Sequence, residues 1–313
     1  MLNIILARRF KTYECFICIF CLLIGCAAVS LYGSELQQQQ LDSVVLRDSR
    51  RIGVADSLNQ IASSDSTKEI GSLVWTLRTG GTLTRSEKRK FVFTGVRFLA
   101  AATVKRVFLK HKEKTDLSQF NPPNTPIVNE AIQLLRQHSP PEMVNHCFRT
   151  AYWTLVIMKQ QKAELSPTEI EEAWVAALLH DIGLDVPASF GEFTLGGVAF
   201  VSKLAAKYNW DKRSERKACE AITLNPNGHI RKGKYGLLAW AMNIGGFAET
   251  SLSPYRFLMH RENIKELETM YPRTGLYKNM PAIMDKEFAR FPNQRYAVLK
   301  KLGVIRRRLR DSK

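Results

Sequence analysis

Residues 166–183 read SPTEIEEAWVAALLHDIG, and this stretch carries both the fold class and the first chemical lead. Ser166 stands at an N-cap, Pro167 at the first helical position and Glu169 at the third. In that arrangement the hydroxyl and the carboxylate satisfy orphan backbone donors reciprocally. Ile170, Trp174, Val175, Leu178 and Leu179 then recur at helical spacing as a buried stripe, and Gly183 is a natural stop. Ser139-Pro140-Pro141-Glu142 repeats the device and predicts a helix to about residue 158, with Ser139 as its cap. A third helix is expected after Gly196-Gly197, to about Tyr208. A fourth is expected over about residues 213–224, stopped by Pro226. Upstream, Thr84-Arg85-Ser86-Glu87 is a further capping box, and the first globular element is expected to open there. The periodicity is helical throughout, with no alternating strand pattern. The expected fold is an all-α bundle.

His180 and Asp181 close the apolar run. A neutral imidazole and a carboxylate on adjacent residues can chelate one divalent ion where a helix end lets both turn to one point. Burial sharpens this, because a carboxylate without a partner in apolar surroundings is costly. Of six histidines, only His180 is followed by Asp. A second, His146, lies mid-helix in the preceding segment, beside Asn145 and one turn before Arg149. Helix pairing can bring it to His180. Tyr152, Trp153 and Trp174 read as core.

Asn145-His146-Cys147-Phe148-Arg149-Thr150, followed at residues 176–183 by Ala-Ala-Leu-Leu-His-Asp-Ile-Gly, resembles the HD superfamily of metal-dependent hydrolases. The flavour is similar to its cyanamide-hydratase-like branch. Ser139-Pro140-Pro141, Ser189-Phe190 through Gly196-Gly197, and Glu220-Ala221-Ile222 agree with it. The resemblance implies an all-helical HD-domain bundle and one divalent ion (Zn, Fe or Mn) held by His146, His180 and Asp181. It implies a small-molecule substrate, a metal-activated water, and catalytic roles for Asp181 and for Arg149, which would face a substrate anion. The chain departs from the branch at Asn225, where the branch has a histidine. It departs again over residues 237–249, which contain no Asp where the superfamily expects one; Asn243 and Glu249 are the oxygen-bearing residues there. Asn225, and His229 in a Pro-Asn-Gly turn, stand as further candidate ligands. Two readings of the resemblance stay open: an active hydrolase or hydratase, and a catalytically degenerate HD-fold protein that serves as a binding or interaction module.

The composition, 45% hydrophobic and 24% charged over 313 residues, excludes a disordered, collagenous or low-complexity chain. With 46 Lys+Arg against 29 Asp+Glu the formal charge is +17, which suits anionic partners and keeps an electrostatic binder of lipid or nucleic acid as a third reading. The excess is nevertheless spread over several surfaces. Residues 85–114 hold ten basic residues against two acidic ones and read as a solvated face, and the tail at residues 305–310 reads as solubilising. No Gly-rich phosphate loop, nucleophile elbow or RNA-binding aromatic motif is present, so nucleic acid is not the expected partner.

Residues 15–34 carry no charge and follow Arg8, Arg9 and Lys11. About 20 apolar residues span a bilayer core, and the same pattern describes a secretory signal. Leu23-Ile24-Gly25-Cys26 also resembles the lipobox of bacterial lipoproteins. An uncleaved anchor, a lipoprotein signal and a buried helix are the three readings; the first two leave the rest of the chain on the non-cytoplasmic, periplasmic side. The expected organisation is a signal or anchor (1–34), a Gln- and Ser-rich linker (35–66) and a basic helical extension (67–120). An HD core (121–250) and a C-terminal helical extension with a basic tail (251–313) follow. Cys147 and Cys219, the cysteines beyond the apolar segment, are too few for a disulfide framework.

Overall fold

A computed structural model of the chain describes residues 69–108, 113–162, 164–188, 191–228, 230–249 and 254–301, the side chains of residues 97–108 excepted. The expected anchor and linker, the basic tail and His229 lie outside the described residues. Among those described, no helix is long and apolar enough to cross a membrane. The helices are α1 (Leu73–Thr79), α2 (Arg85–Phe108), α3 (Pro126–His138), α4 (Pro141–Lys159), α5 (Pro167–Leu179), α6 (Phe193–Lys207), α7 (Lys212–Leu224), α8 (Lys232–Glu249), α9 (Arg261–Met270), α10 (Leu276–Arg290) and α11 (Arg295–Lys301). The fold is all-α. Among the described residues the only extended pairing is an isolated antiparallel bridge between Thr82 and Gln294.

The composition of α4 sets the architecture. From His146 to Met158 every residue is buried, with Arg149 the one ordinarily charged side chain in the run. A helix apolar on all sides is stable only when neighbours enclose it. Here α5 and α8 pack along it, α7 packs on α5 and α8, and α6 packs on α7. Tyr152, Trp153 and Trp174 lie in this core. Cys147 and Cys219 are buried and free.

The caps behave as short-range chemistry predicts, with corrections. At Ser166 the box closes in both directions: Ser166 Oγ accepts from the Glu169 N–H, and the Glu169 carboxylate accepts from the Ser166 N–H. Thr84 and Glu87 do the same at the start of α2. Before α4, however, Pro140 is the N-cap and Pro141 the first helical residue; Ser139 instead ends α3. The first described helix is α1, ahead of Thr84. It is capped by Ser72 Oγ, which accepts from the Trp75 N–H.

The third correction bears on the site. Gly196 and Gly197 do not precede a helix but sit inside α6, which begins at Phe193. They are there for close approach. A Cβ on Gly197 would lie 2.4 Å from the Leu179 carbonyl oxygen, and one on Gly183 would lie 1.9 Å from that of Phe193. The first turn of α6 thus presses on the segment that carries His180 and Asp181. Gly183→Ala is expected to lose at least about 1–3 kcal/mol to overpacking, read as a lower urea midpoint. An unchanged midpoint would refute the contact.

Candidate metal centre

His180 is the C-cap of α5 and keeps helical angles (φ −63°, ψ −35°). Asp181 turns out of the helix at φ −108°, ψ 0°, close to the sparsely populated bridge region. That change of direction is what lets adjacent side chains face one point. His146 arrives from the middle of α4, the helix packed against α5. The ligand atoms of His146, His180 and Asp181 all lie within 4.8 Å of one another, and all three residues are buried. Asp181 Oδ2 is 3.3 Å from His146 Nε2 and 3.3 Å from His180 Nε2. The imidazole centroids are 5.3 Å apart. This group of two imidazoles and one carboxylate can hold a metal ion.

The electrostatics follow from that crowding. Burial opposes charge on both rings, but the carboxylates outweigh it. Glu249 and Asp181 raise His146 to about 9, and Asp181, with Cys147, raises His180 to about 10. Burial likewise opposes ionisation of Asp181, yet His180 and His146 hold its carboxyl well below the usual carboxylate range. Without a metal, the group is a carboxylate between two imidazolium rings.

Beyond the triad, the geometry revises the sequence reading. Arg149 is tied into the framework around the triad. It is fully buried, its Nε donates to Glu249 Oε1 at 2.6 Å, and one terminal nitrogen donates to the carbonyls of Tyr271 (2.6 Å) and Pro272 (3.0 Å). Asn225 ends α7 and its amide nitrogen donates to the Met242 carbonyl at 3.2 Å. Among the described residues it makes no hydrogen bond to the triad. Asn243 donates to the carbonyls of Leu224, Asn225 and Asn227 and so ties down the end of α7.

Glu249 is the functional neighbour whose role the sequence did not disclose. It is the last residue of α8 and fully buried, with Oε2 2.9 Å from His146 Nδ1. Its Oε1 takes both Arg149 and, at 3.0 Å, Arg273. Against the cost of burial, His146, Arg149 and Arg273 hold its carboxyl well below the ordinary value. Arg273 lies outside every motif; no signal in the sequence pointed to it. Asp185, four residues past Asp181, is raised by burial, with the Asp181 and Glu142 carboxylates adding to the rise. Its spacing was visible, but nothing marked it out.

A comparison with curated proteins yields no match to the chain. Residues 143–266, the stretch that contains His146, His180, Asp181 and Glu249, match the HD domain family, and this supports placing the helical core in the HD superfamily.

Proposed function

We propose that the protein is a metal-dependent HD-type hydrolase or hydratase acting on a small molecule, similar to the cyanamide-hydratase-like branch, with residues 15–34 as its membrane anchor or lipoprotein signal. The observation that supports this most directly is the convergence of His146, His180 and Asp181. The donor set fits a divalent ion: two imidazole nitrogens and one carboxylate oxygen form the N/O ligation that zinc, iron and manganese accept, and three protein ligands leave a position open for water. Such an ion, when bound, supplies a Lewis acid that polarises the substrate and activates a water as nucleophile. His146, His180 and Asp181 hold it. Arg149, whose Nε is paired with Glu249, stabilises the framework around His146.

Reconstitution of the purified full chain with Zn²⁺, Fe²⁺ or Mn²⁺, followed by metal analysis, is expected to give about one equivalent. No retained metal overturns the reading. The degenerate-module alternative is favoured by Asn225 and Arg149, both engaged in packing where the resemblance implied a ligand and a substrate contact. Retained metal without turnover of nitriles, phosphoesters or nucleotides would select that alternative.

A further inference from the structure

We infer that Glu249 is a positioning residue that fixes which nitrogen of His146 is free to bind a metal. This rests on the metal reading above but concerns a residue outside the triad. A neutral imidazole carries one proton, on Nδ1 or on Nε2, and only the bare nitrogen can ligate. His180 settles the matter locally: its Nδ1 is 2.7 Å from the Ala177 carbonyl oxygen, an acceptor one helical turn back, so when the ring gives up one proton to bind a metal, Nδ1 keeps the other and Nε2 becomes bare. His146 has no such carbonyl among its described contacts. Its Nδ1 faces Glu249 Oε2 at 2.9 Å, and its Nε2 faces Asp181. Glu249 therefore does for His146 what the Ala177 carbonyl does for His180.

The side chain is itself held. Oε1 accepts from Arg149 Nε at 2.6 Å and lies 3.0 Å from an Arg273 nitrogen, while the Glu249 carbonyl accepts from Arg273 and Arg256. With one oxygen occupied by guanidinium donors, the other is left to His146. The acid that this stretch of the chain supplies is thus turned to the outer side of a ligand, not toward the ion. A carboxylate behind a ligating histidine fixes ring orientation and raises ligand basicity, and its loss typically weakens metal affinity about 10–100-fold.

The discriminating variant is Glu249→Gln. Glutamine has a single oxygen, and the arginine donors and the His146 Nδ1–H compete for it. If the oxygen stays with the arginines, the amide N–H₂ meets Nδ1 and drives the proton onto Nε2, where it blocks the metal. Chelator competition with Zn²⁺ is expected to show affinity about 10–100-fold below that of the unaltered chain, with a changed visible spectrum for the Co²⁺ form. Thr84→Ala is the control. It removes the capping box at the start of α2, away from the Glu249 network, so it is expected to lower the urea midpoint while leaving zinc affinity and the Co²⁺ spectrum unchanged. Glu249→Gln with zinc affinity and Co²⁺ spectrum intact overturns the inference. So does an equal affinity loss in both variants, which would make the effect structural. Should Glu249→Gln not fold, ¹⁵N-histidine spectra of the zinc-loaded, unaltered chain decide: His146 is expected to carry its proton on Nδ1, and a proton on Nε2 overturns the assignment. Failure of the unaltered chain to take up zinc removes the metal reading itself, and this role with it.

Discussion

His180→Ala and Asp181→Ala are each expected to abolish binding of a divalent ion by the purified chain. Each removes one of three protein donors, leaving two, too few to compete with water. Loss of an outer partner already weakens a site about 10–100-fold, and loss of a direct ligand must exceed that. The same site makes a pH-dependent claim with a definite sign. In the metal-free protein both rings are held protonated, His146 to about 9 and His180 to about 10. Because these values are raised, the charged rings contribute stability that is complete below the ordinary histidine range and is lost as pH climbs through 9 to 10. Metal needs the deprotonated rings, so it opposes that state and must displace protons. Affinity is expected to rise with pH, by up to about 100-fold per unit near neutrality, with about two protons released per ion. Calorimetry in buffers of different ionisation enthalpy counts those protons. Metal uptake without proton release, or undiminished uptake by either variant, would defeat the assignment of these rings as ligands.

What the sequence disclosed and what it withheld divide along sequence separation. The start of α5 could be read residue by residue because a capping box is closed within four positions, and Ser166 and Glu169 bond each other as their spacing requires. His146, His180 and Asp181 were also legible: two come from one turn, and the third lies on the adjoining helix. Where two local devices competed, reading was less secure. Pro140 and Pro141 both suit a helix start, and the chain uses the second, which moves the cap off Ser139. Gly196-Gly197 looked like a boundary, because glycine breaks helices when nothing else acts on it; here Leu179 and Gly183 press close enough that a larger residue would not fit. The fate of Arg149 was beyond reach. Its ion-pair partner is 100 positions away, and the carbonyls it also bonds are 122 and 123 away, so no window around it could show that it was already paired. A basic residue one turn from a ligand looks the same in sequence whether it faces substrate or framework.

A second long-range pair supports the prediction with the largest effect on stability. Arg295→Met is expected to destabilise the protein by about 3–5 kcal/mol, the usual consequence of removing one partner from a buried ion pair. Arg295, at the start of α11, and Glu192, just before α6, are both fully buried and bonded to each other. Arg295 also donates to the Thr223 carbonyl at 2.6 Å and to Asn227 Oδ1 at 2.7 Å, and its guanidinium lies over the Trp75 ring. One side chain therefore joins the C-terminal helices to α1, to the end of α7 and to the segment that leads into α6. Methionine fills much of the volume but leaves the Glu192 carboxylate buried without its cation, and Thr194 is a weak substitute. Since a domain is stable by about 5–15 kcal/mol, the variant should lose a large part of its urea resistance. The cost lies in the orphaned charge rather than in the lost contact. The double change Arg295→Met with Glu192→Leu should therefore recover most of the loss, as apolar replacement of whole buried pairs commonly does. A single variant less than about 1 kcal/mol below the unaltered chain would mean that water reaches Glu192. A double variant no better than the single would mean that the bonds to Thr223 and Asn227, not the ion pair, hold the two ends of the fold together.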